Sequence, residues 1–217
     1  RVYKVKRSYL NAKLIDIITP APERREPPCP QFLSCGGCQW QHMQYDTQLY
    51  WKKRIVQDCC ERIGGLRDFN INDTLPCPDQ LGYRHRAGIK VSQGQKPDIG
   101  FFKAKTHDVI DITTCPLLVP QLNQALNTLR RMVQKNPSGY ASLTDIDLLY
   151  SLHDDIVLLS MTANGSRMSD LLYSGDKLGP IDRDVQEKIE DLLFLRDTRN
   201  FYQVNYAQNK NMLEHVR

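Results

Sequence analysis

Cys29-Pro30-Gln31-Phe32-Leu33-Ser34-Cys35-Gly36-Gly37-Cys38-Gln39-Trp40-Gln41-His42 is the stretch on which the reading of this 217-residue chain turns. Three cysteines fall within ten residues, separated first by five residues and then by two glycines. Paired glycines let a backbone wrap closely around a bound object, because positive φ costs them little. Two thiolates with two residues between them can converge on one metal centre, and the third closes a face around it. A zinc site of four cysteines usually shows two close C-x2-C pairs. One close pair, one outlying cysteine and no second pair stand nearer to the plant-type iron–sulfur spacing C-x4-C-x2-C…C. An iron–sulfur centre is therefore the favoured reading, with zinc and a metal-free loop as alternatives. The fourth ligand is to be sought among Cys59, Cys60, Cys77 and Cys115. Cys115 stands where a strand-like run ends and a helix begins, a natural place for an exposed thiolate.

Outward from the motif, the pattern reads as an α+β chain. On the amino-terminal side, residues 2–6 and 12–18 read as strands, followed by the proline-rich linker Thr19–Pro28. On the carboxy-terminal side, residues 43–63 read as a helix whose stripe is Tyr45, Leu49, Val56, Cys60 and Ile63, stopped by Gly64-Gly65. Cys59 and Cys60 are expected to be small core residues, and no role is assigned to Cys77. Residues 83–92 alternate: Tyr83, His85, Ala87, Ile89 and Val91 on one face, Arg84, Arg86 and Lys90 on the other. Three cations about 7 Å apart along a strand match the phosphate spacing of one nucleic-acid strand. Residues 99–102 and 108–112 continue an antiparallel meander that delivers Cys115 back toward the cysteine loop. Residues 117–135 are predicted to be a helix with Leu122, Leu126, Leu129 and Val133 on one face, and 146–150 with 156–161 a hairpin. Residues 181–194 read as a short amphipathic helix or a linker turn. His42, His85 and His107 read as structural or surface residues.

Charge is uneven along the chain. Residues 1–110 carry 18 Lys and Arg against 11 Asp and Glu, whereas residues 111–217 carry 11 against 14. The basic half contains the cysteine loop, which suits a polyanionic partner. No apolar run approaches a membrane span and no signal-peptide pattern opens the chain. Seven cysteines, an odd number with two adjacent, argue against a secreted disulfide framework and for a reducing, cytoplasmic setting.

Three motifs in order resemble the bacterial and archaeal RNA uracil-5 methyltransferases. The first is C-x5-C-G-G-C-x-x-Q-H, ending at His42 and followed by Tyr45 and Gln48-Leu49. The second is Gly82-Tyr83-Arg84-His85-Arg86 with Asp111-Ile112-Thr113-Thr114-Cys115-Pro116 beyond it. The third is Asn200-Phe201-Tyr202-Gln203-Val204-Asn205, similar to the family's F-x-Q-V-N segment. The resemblance implies an antiparallel sheet with flanking helices and a four-cysteine iron–sulfur loop. Residues 1–22 would end a small TRAM-like β domain that binds RNA, 23–198 form the central iron–sulfur domain, and 199–217 begin a Rossmann-like methyltransferase domain. It implies a [4Fe–4S] cluster on Cys29, Cys35, Cys38 and Cys115. It also implies Gln203 against S-adenosylmethionine, Phe201 stacked on a base, and Arg84, Arg86 and Lys90 on RNA. The implied reaction is methylation of a uridine at C5, in ribosomal RNA, by a monomer, with a transfer-RNA uridine methyltransferase or a non-catalytic metal-stabilised RNA-binding module as the alternatives. In the family a cysteine thiolate adds to C6, the enolate takes the methyl group, and a base removes the C5 proton. Those groups lie beyond F-x-Q-V-N, so no catalytic residue is assigned in this chain, which reads as a fragment.

Overall fold

The computed structural model describes residues 1–175, 177–181 and 184–216. The chain opens with a two-stranded antiparallel hairpin, β1 (Val2–Val5) and β2 (Leu10–Ala12). The strand expected over 12–18 is not formed. Pairing ends with Lys13, which exchanges two backbone hydrogen bonds of 2.9 Å with Arg1, and Leu14, Ile15 and Ile18 are exposed, so no packed face holds the rest of that segment extended.

The helix expected over 43–63 is α1 (Tyr45–Arg62), and Gly64 caps it by donating its N–H to the Cys59 carbonyl at 3.0 Å. Its apolar stripe, however, is covered only in part. No residue of α1 is buried, Val56 and Ile63 are exposed, and so is Cys59, with Cys60 half-buried. The two cysteines are therefore not core residues. α1 is anchored near its start instead: Cys77 N–H donates to the Tyr45 hydroxyl at 2.7 Å, and the Thr74 hydroxyl donates to the Leu49 carbonyl at 3.0 Å.

The centre of the molecule is a seven-stranded sheet. Its strands are β3 (Arg86–Val91), β4 (Ile99–Phe102), β5 (Val109–Asp111), β6 (Leu143–Ser151), β7 (Ile156–Ala163), β8 (Ser166–Ser174) and β9 (Lys177–Pro180), in the spatial order β5-β4-β3-β6-β7-β8-β9. Every neighbouring pair is antiparallel. Alternation in β3 is as expected, with Ala87, Ile89 and Val91 buried, Gly88 exposed and Arg86 and Lys90 half-buried. The strand begins only at Arg86, so Arg84 lies outside it. Gly100 lets β4 and β5 approach closely: a Cβ there would stand 2.1 Å from the Ile110 carbonyl oxygen.

The second helix, α2 (Pro120–Lys135), crosses one face of this sheet, with proline at its first turn where no intrahelical donor is lost. Leu122, Ala125, Leu126, Leu129 and Val133 are buried against Ala87, Ile89, Ile99, Ile146, Leu148 and Leu159. Full burial of each large aliphatic side chain contributes about 1.5–3 kcal/mol, and this packing outweighs the intrinsic propensity of α2. A smaller core of Leu149, Ile156, Leu158, Leu172 and Val185 lies on the other face. β7 is covered on both sides and therefore reads as a nearly continuous apolar run.

Of residues 181–194, expected as a short helix or turn, 182 and 183 lie outside the described residues, and from Val185 the chain instead forms a hairpin of β10 (Val185–Ile189) and β11 (Leu192–Arg196). The buried Glu187 docks it on the sheet, its carboxylate accepting from the N–H groups of Leu152 at 3.1 Å and His153 at 3.3 Å. The last element is α3 (Tyr206–Val216). Among the described residues no helix is long and apolar enough to cross a membrane.

Candidate metal centre

The cysteine loop is tied down on two sides. Within it, Ser34 N–H and Cys35 N–H both donate to the Gln31 carbonyl, at 3.1 and 2.8 Å. It is stitched to the tip of the β4–β5 hairpin by Gly36 N–H to Phe102 O at 2.9 Å and Ala104 N–H to Ser34 O at 3.0 Å. A Cβ on Gly36 would come within 3.2 Å of that Phe102 oxygen, so a side chain there would press on the hairpin tip. The second anchor is Gln41, a buried amide. Its Oε1 accepts from Cys29 N–H at 3.2 Å, and its carbonyl accepts from Arg25 Nε at 3.1 Å. Gly37 N–H points at the Cys35 sulfur at 3.4 Å.

Cys115 arrives from the other end of the same hairpin. Asn123 of α2 clamps its backbone from both sides, accepting from Cys115 N–H at 2.9 Å and donating to Cys115 O at 3.1 Å. The turn around Cys115 is braced further by an ion pair between Asp111 at the end of β5 and Arg130 of α2. Arg130 also donates to the Ile99 carbonyl at 3.2 Å, and Asp111 accepts from Ile99 N–H at 2.9 Å. Hydrogen bonding to Arg130 holds the Asp111 carboxyl below the usual carboxylate range, against a partial burial that opposes it.

Cys29, Cys35, Cys38 and Cys115 line one cavity of about 180 Å³. The meander thus brings together the four cysteines that the sequence singled out, from positions up to 86 residues apart. Cys59, Cys60 and Cys77 do not line it. Phe32, Phe101, Ile112 and Leu117 give it apolar walls, and Arg84 stands at its edge. Burial pushes the Cys38 thiol up, and the neighbouring Cys35 and Cys29 add to this; a hydrogen bond to Gln41 and the charge of Arg84 pull the other way. Burial likewise pushes Cys115 up. All seven cysteines are free thiols. Among the described residues no group of three or more His, Cys, Asp or Glu side chains is disposed to hold a metal ion.

The three cations expected to share an open strand face are differently employed. Arg84 precedes β3, lines the cysteine cavity and donates through Nε to the Arg86 carbonyl at 2.9 Å. Arg86 donates to the carbonyls of Asn200, at 2.7 Å, and Thr198. Lys90 pairs with Asp145 and lies 5.4 Å from the Phe102 ring centroid.

The consequence is a fastening between the cysteine cavity and Phe201–Asn205. His85 N–H donates to the Val204 carbonyl at 2.8 Å, and Arg84 forms an isolated β-bridge with Asn205. Asn205 Nδ2 reaches the Cys77 sulfur at 3.1 Å. Arg196 lies over the Tyr202 ring at 3.5 Å from its centroid, and the Tyr206 ring stacks on His85 at 6.0 Å. Gln203 is half-buried in this segment, while Phe201 is 83% exposed. Pattern alone does not pick out Gln41, Asn123, Arg130 or Arg196. Only Gln41 carries a signal, as the amide of the cysteine motif.

No protein-family model matches the chain. Relatives do. An RNA methyltransferase of Chlorobaculum tepidum is 28% identical over 270 residues, an alignment that takes in all of this chain and 56% of that protein. An RNA methyltransferase of Synechocystis is 34% identical over 136 residues, 62% of this chain and 29% of that protein. One from Staphylococcus aureus is 30% identical over 176 residues, 77% of this chain and 39% of that protein. The chain belongs to this RNA methyltransferase family. The resemblance drawn from the three sequence motifs is thereby borne out. Among solved structures, the Pyrococcus abyssi tRNA (uracil-54, C5)-methyltransferase bound to S-adenosyl-L-homocysteine shares the fold. Its TM-score is 0.68 at 19% identity, with all of this chain and 56% of that one covered. The chain spans about half or less of the length of the family members it matches.

Proposed function

We propose that this chain is the iron–sulfur and RNA-recognition part of an S-adenosylmethionine-dependent methyltransferase that modifies a uridine of RNA at C5. The observation that carries the reading is the single cavity lined by Cys29, Cys35, Cys38 and Cys115, joined through Arg84–Arg86 to Phe201–Asn205. One ion would draw four sulfurs to about 2.3 Å from itself. A cavity of about 180 Å³ between the thiols suits a polynuclear core better, and [4Fe–4S] is the form the family resemblance brings. When bound, such a cluster supplies thiolate bonds that cross-link the cysteine loop to the turn between β5 and α2, closing a long loop. The residues around it do the positioning. Gln41 and Asn123 fix the backbones of Cys29 and Cys115, Asp111 and Arg130 brace the turn, and Arg84–Arg86 carry that rigidity to Gln203, assigned to the methyl donor.

Domain limits at 22/23 and 198/199 go with this reading. Ribosomal RNA is the substrate class adopted here. The fold neighbour, whose substrate is a transfer RNA, favours a second reading. Filter binding of purified chain to each RNA class across a salt series tests the reading, because phosphate contacts give a steep, linear loss of affinity with salt. Tight binding with a steep slope is expected. Equal affinity for RNA and for an uncharged polymer control would overturn it.

A further inference from the structure

Beside the cysteine cavity, and sharing Gly37, Cys38, Gln41, Arg84 and Leu117 with it, lies a second and larger cleft of about 390 Å³. Its walls come from the cysteine loop, the start of α1, the 74–84 segment and the start of α3. The volume falls in the usual range for small-molecule sites. Three aromatic rings, Trp40, Tyr45 and Tyr83, line it together with Lys52, Arg84 and Gln48.

Several of these groups carry hydrogen-bonding capacity that no described residue uses. Among the described residues, the Trp40 indole N–H, the Tyr83 hydroxyl and the Lys52 ammonium make no hydrogen bond or ion pair, and Arg84 commits only Nε. Gln48 spends its N–H groups on the carbonyls of Trp40 and Met43, at 3.2 and 3.0 Å, leaving its amide oxygen as an acceptor. The Tyr45 ring is held by its hydroxyl, which accepts from Cys77 N–H at 2.7 Å. Arg25 adds a third cation, against the single carboxylate of Asp79. Unused donors, aromatic faces and net positive charge in one cleft describe a planar, acceptor-rich, anionic occupant. A bare phosphate would leave the rings idle, and an apolar ligand would strand the donors.

Resting on the RNA reading above, we propose that this cleft receives one unstacked nucleotide of the bound RNA. The Tyr83 ring packs on the base, with Trp40 and the Arg84 plane beside it, Gln48 meets its edge, and Lys52 meets its phosphate. Unpaired bases are read in this manner by aromatic and guanidinium surfaces.

The test is equilibrium binding of a short, fluorescein-labelled, mixed-sequence single-stranded RNA to the purified chain, to Tyr83→Leu and to Lys52→Ala, with iron content and melting temperature recorded alongside. Tyr83→Leu is expected to weaken binding at least about fivefold, the equivalent of about 1 kcal/mol of stacking. Lys52→Ala is expected to lower the salt slope by about 0.7, the value of one phosphate on a single strand. If the parent chain binds RNA and both variants match it in affinity and slope, the cleft is not a nucleotide site and the broader RNA reading stands. If the parent chain binds no RNA, both fall. Should Tyr83→Leu lose iron or stability, the slope of Lys52→Ala, a change at an exposed side chain, decides alone.

Discussion

Replacing Arg130 by methionine should loosen the turn that carries Cys115, and its size follows from the contacts. The guanidinium is 9% exposed, pairs with both oxygens of Asp111 and also donates to the Ile99 carbonyl. Removing one partner of a buried ion pair costs about 3–5 kcal/mol, mostly because a charge is left behind. Asp111 is 39% exposed and can recover water, so the loss here should be about 2–3 kcal/mol. At about 2–4 °C per kcal/mol for a chain of this length, melting should fall by about 4–12 °C. Circular dichroism melts of the parent, Arg130→Met, Asp111→Asn and the double variant measure this. The double variant should be more stable than the sum of the singles, since Asn leaves no orphaned charge. The acid limb gives a second readout. The depressed Asp111 carboxyl contributes stability that is complete above its ordinary pKa and is lost as pH falls through the lower native value. Arg130→Met should flatten that limb. An Arg130→Met variant melting within about 1 °C of the parent, with an unchanged acid limb, would refute the account of this brace.

Other outcomes follow from the same contacts. Gly100→Ala would put a Cβ 2.1 Å from the Ile110 oxygen, so soluble yield and melting temperature should both fall sharply, whereas Gly65→Ala, which meets nothing within 4 Å, should keep its fold despite a strained positive φ. His85 is held neutral by burial and then by the charge of Arg196, with its pKa lowered to about 4. Its contribution to stability is therefore full above about 6.5 and is lost as pH falls toward 4; His85→Phe should make denaturant midpoints flatter across that window. Serine at Cys29, Cys35, Cys38 or Cys115 should abolish bound iron, while Cys59→Ser and Cys77→Ser should retain it, as read by colorimetric iron assay.

The parts of the fold legible in the sequence are those governed by local period. α2 shows a clean helical stripe because one face meets the sheet, and β3 shows alternation because one face is buried. The gathering of Cys29, Cys35, Cys38 and Cys115 around one cavity was legible because three fall within ten residues and the fourth ends a meander. What escaped was tertiary. Arg130 reads as one more charge on a helix, and only the fold shows Asp111 opposite it. β10 escaped because its inward row is Val185, Glu187 and Ile189, a buried carboxylate interrupting an apolar alternation. β11 misled in the opposite sense, since Leu192-Leu193-Phe194-Leu195 is apolar yet exposed. The stripe on α1 is covered only in part: Tyr45, Leu49 and Cys60 are half-buried, whereas Val56 and Ile63 are exposed.

The central claim is that four thiols from two distant stretches grip one inorganic core. Iron and acid-labile sulfide, assayed per chain in anaerobically purified protein together with its visible spectrum, test it most directly. About four of each, in a brown solution with broad absorption that fades on exposure to chelator, is the expected result. Colourless protein free of iron and sulfide, folded and melting as before when all four cysteines are serine, would contradict it.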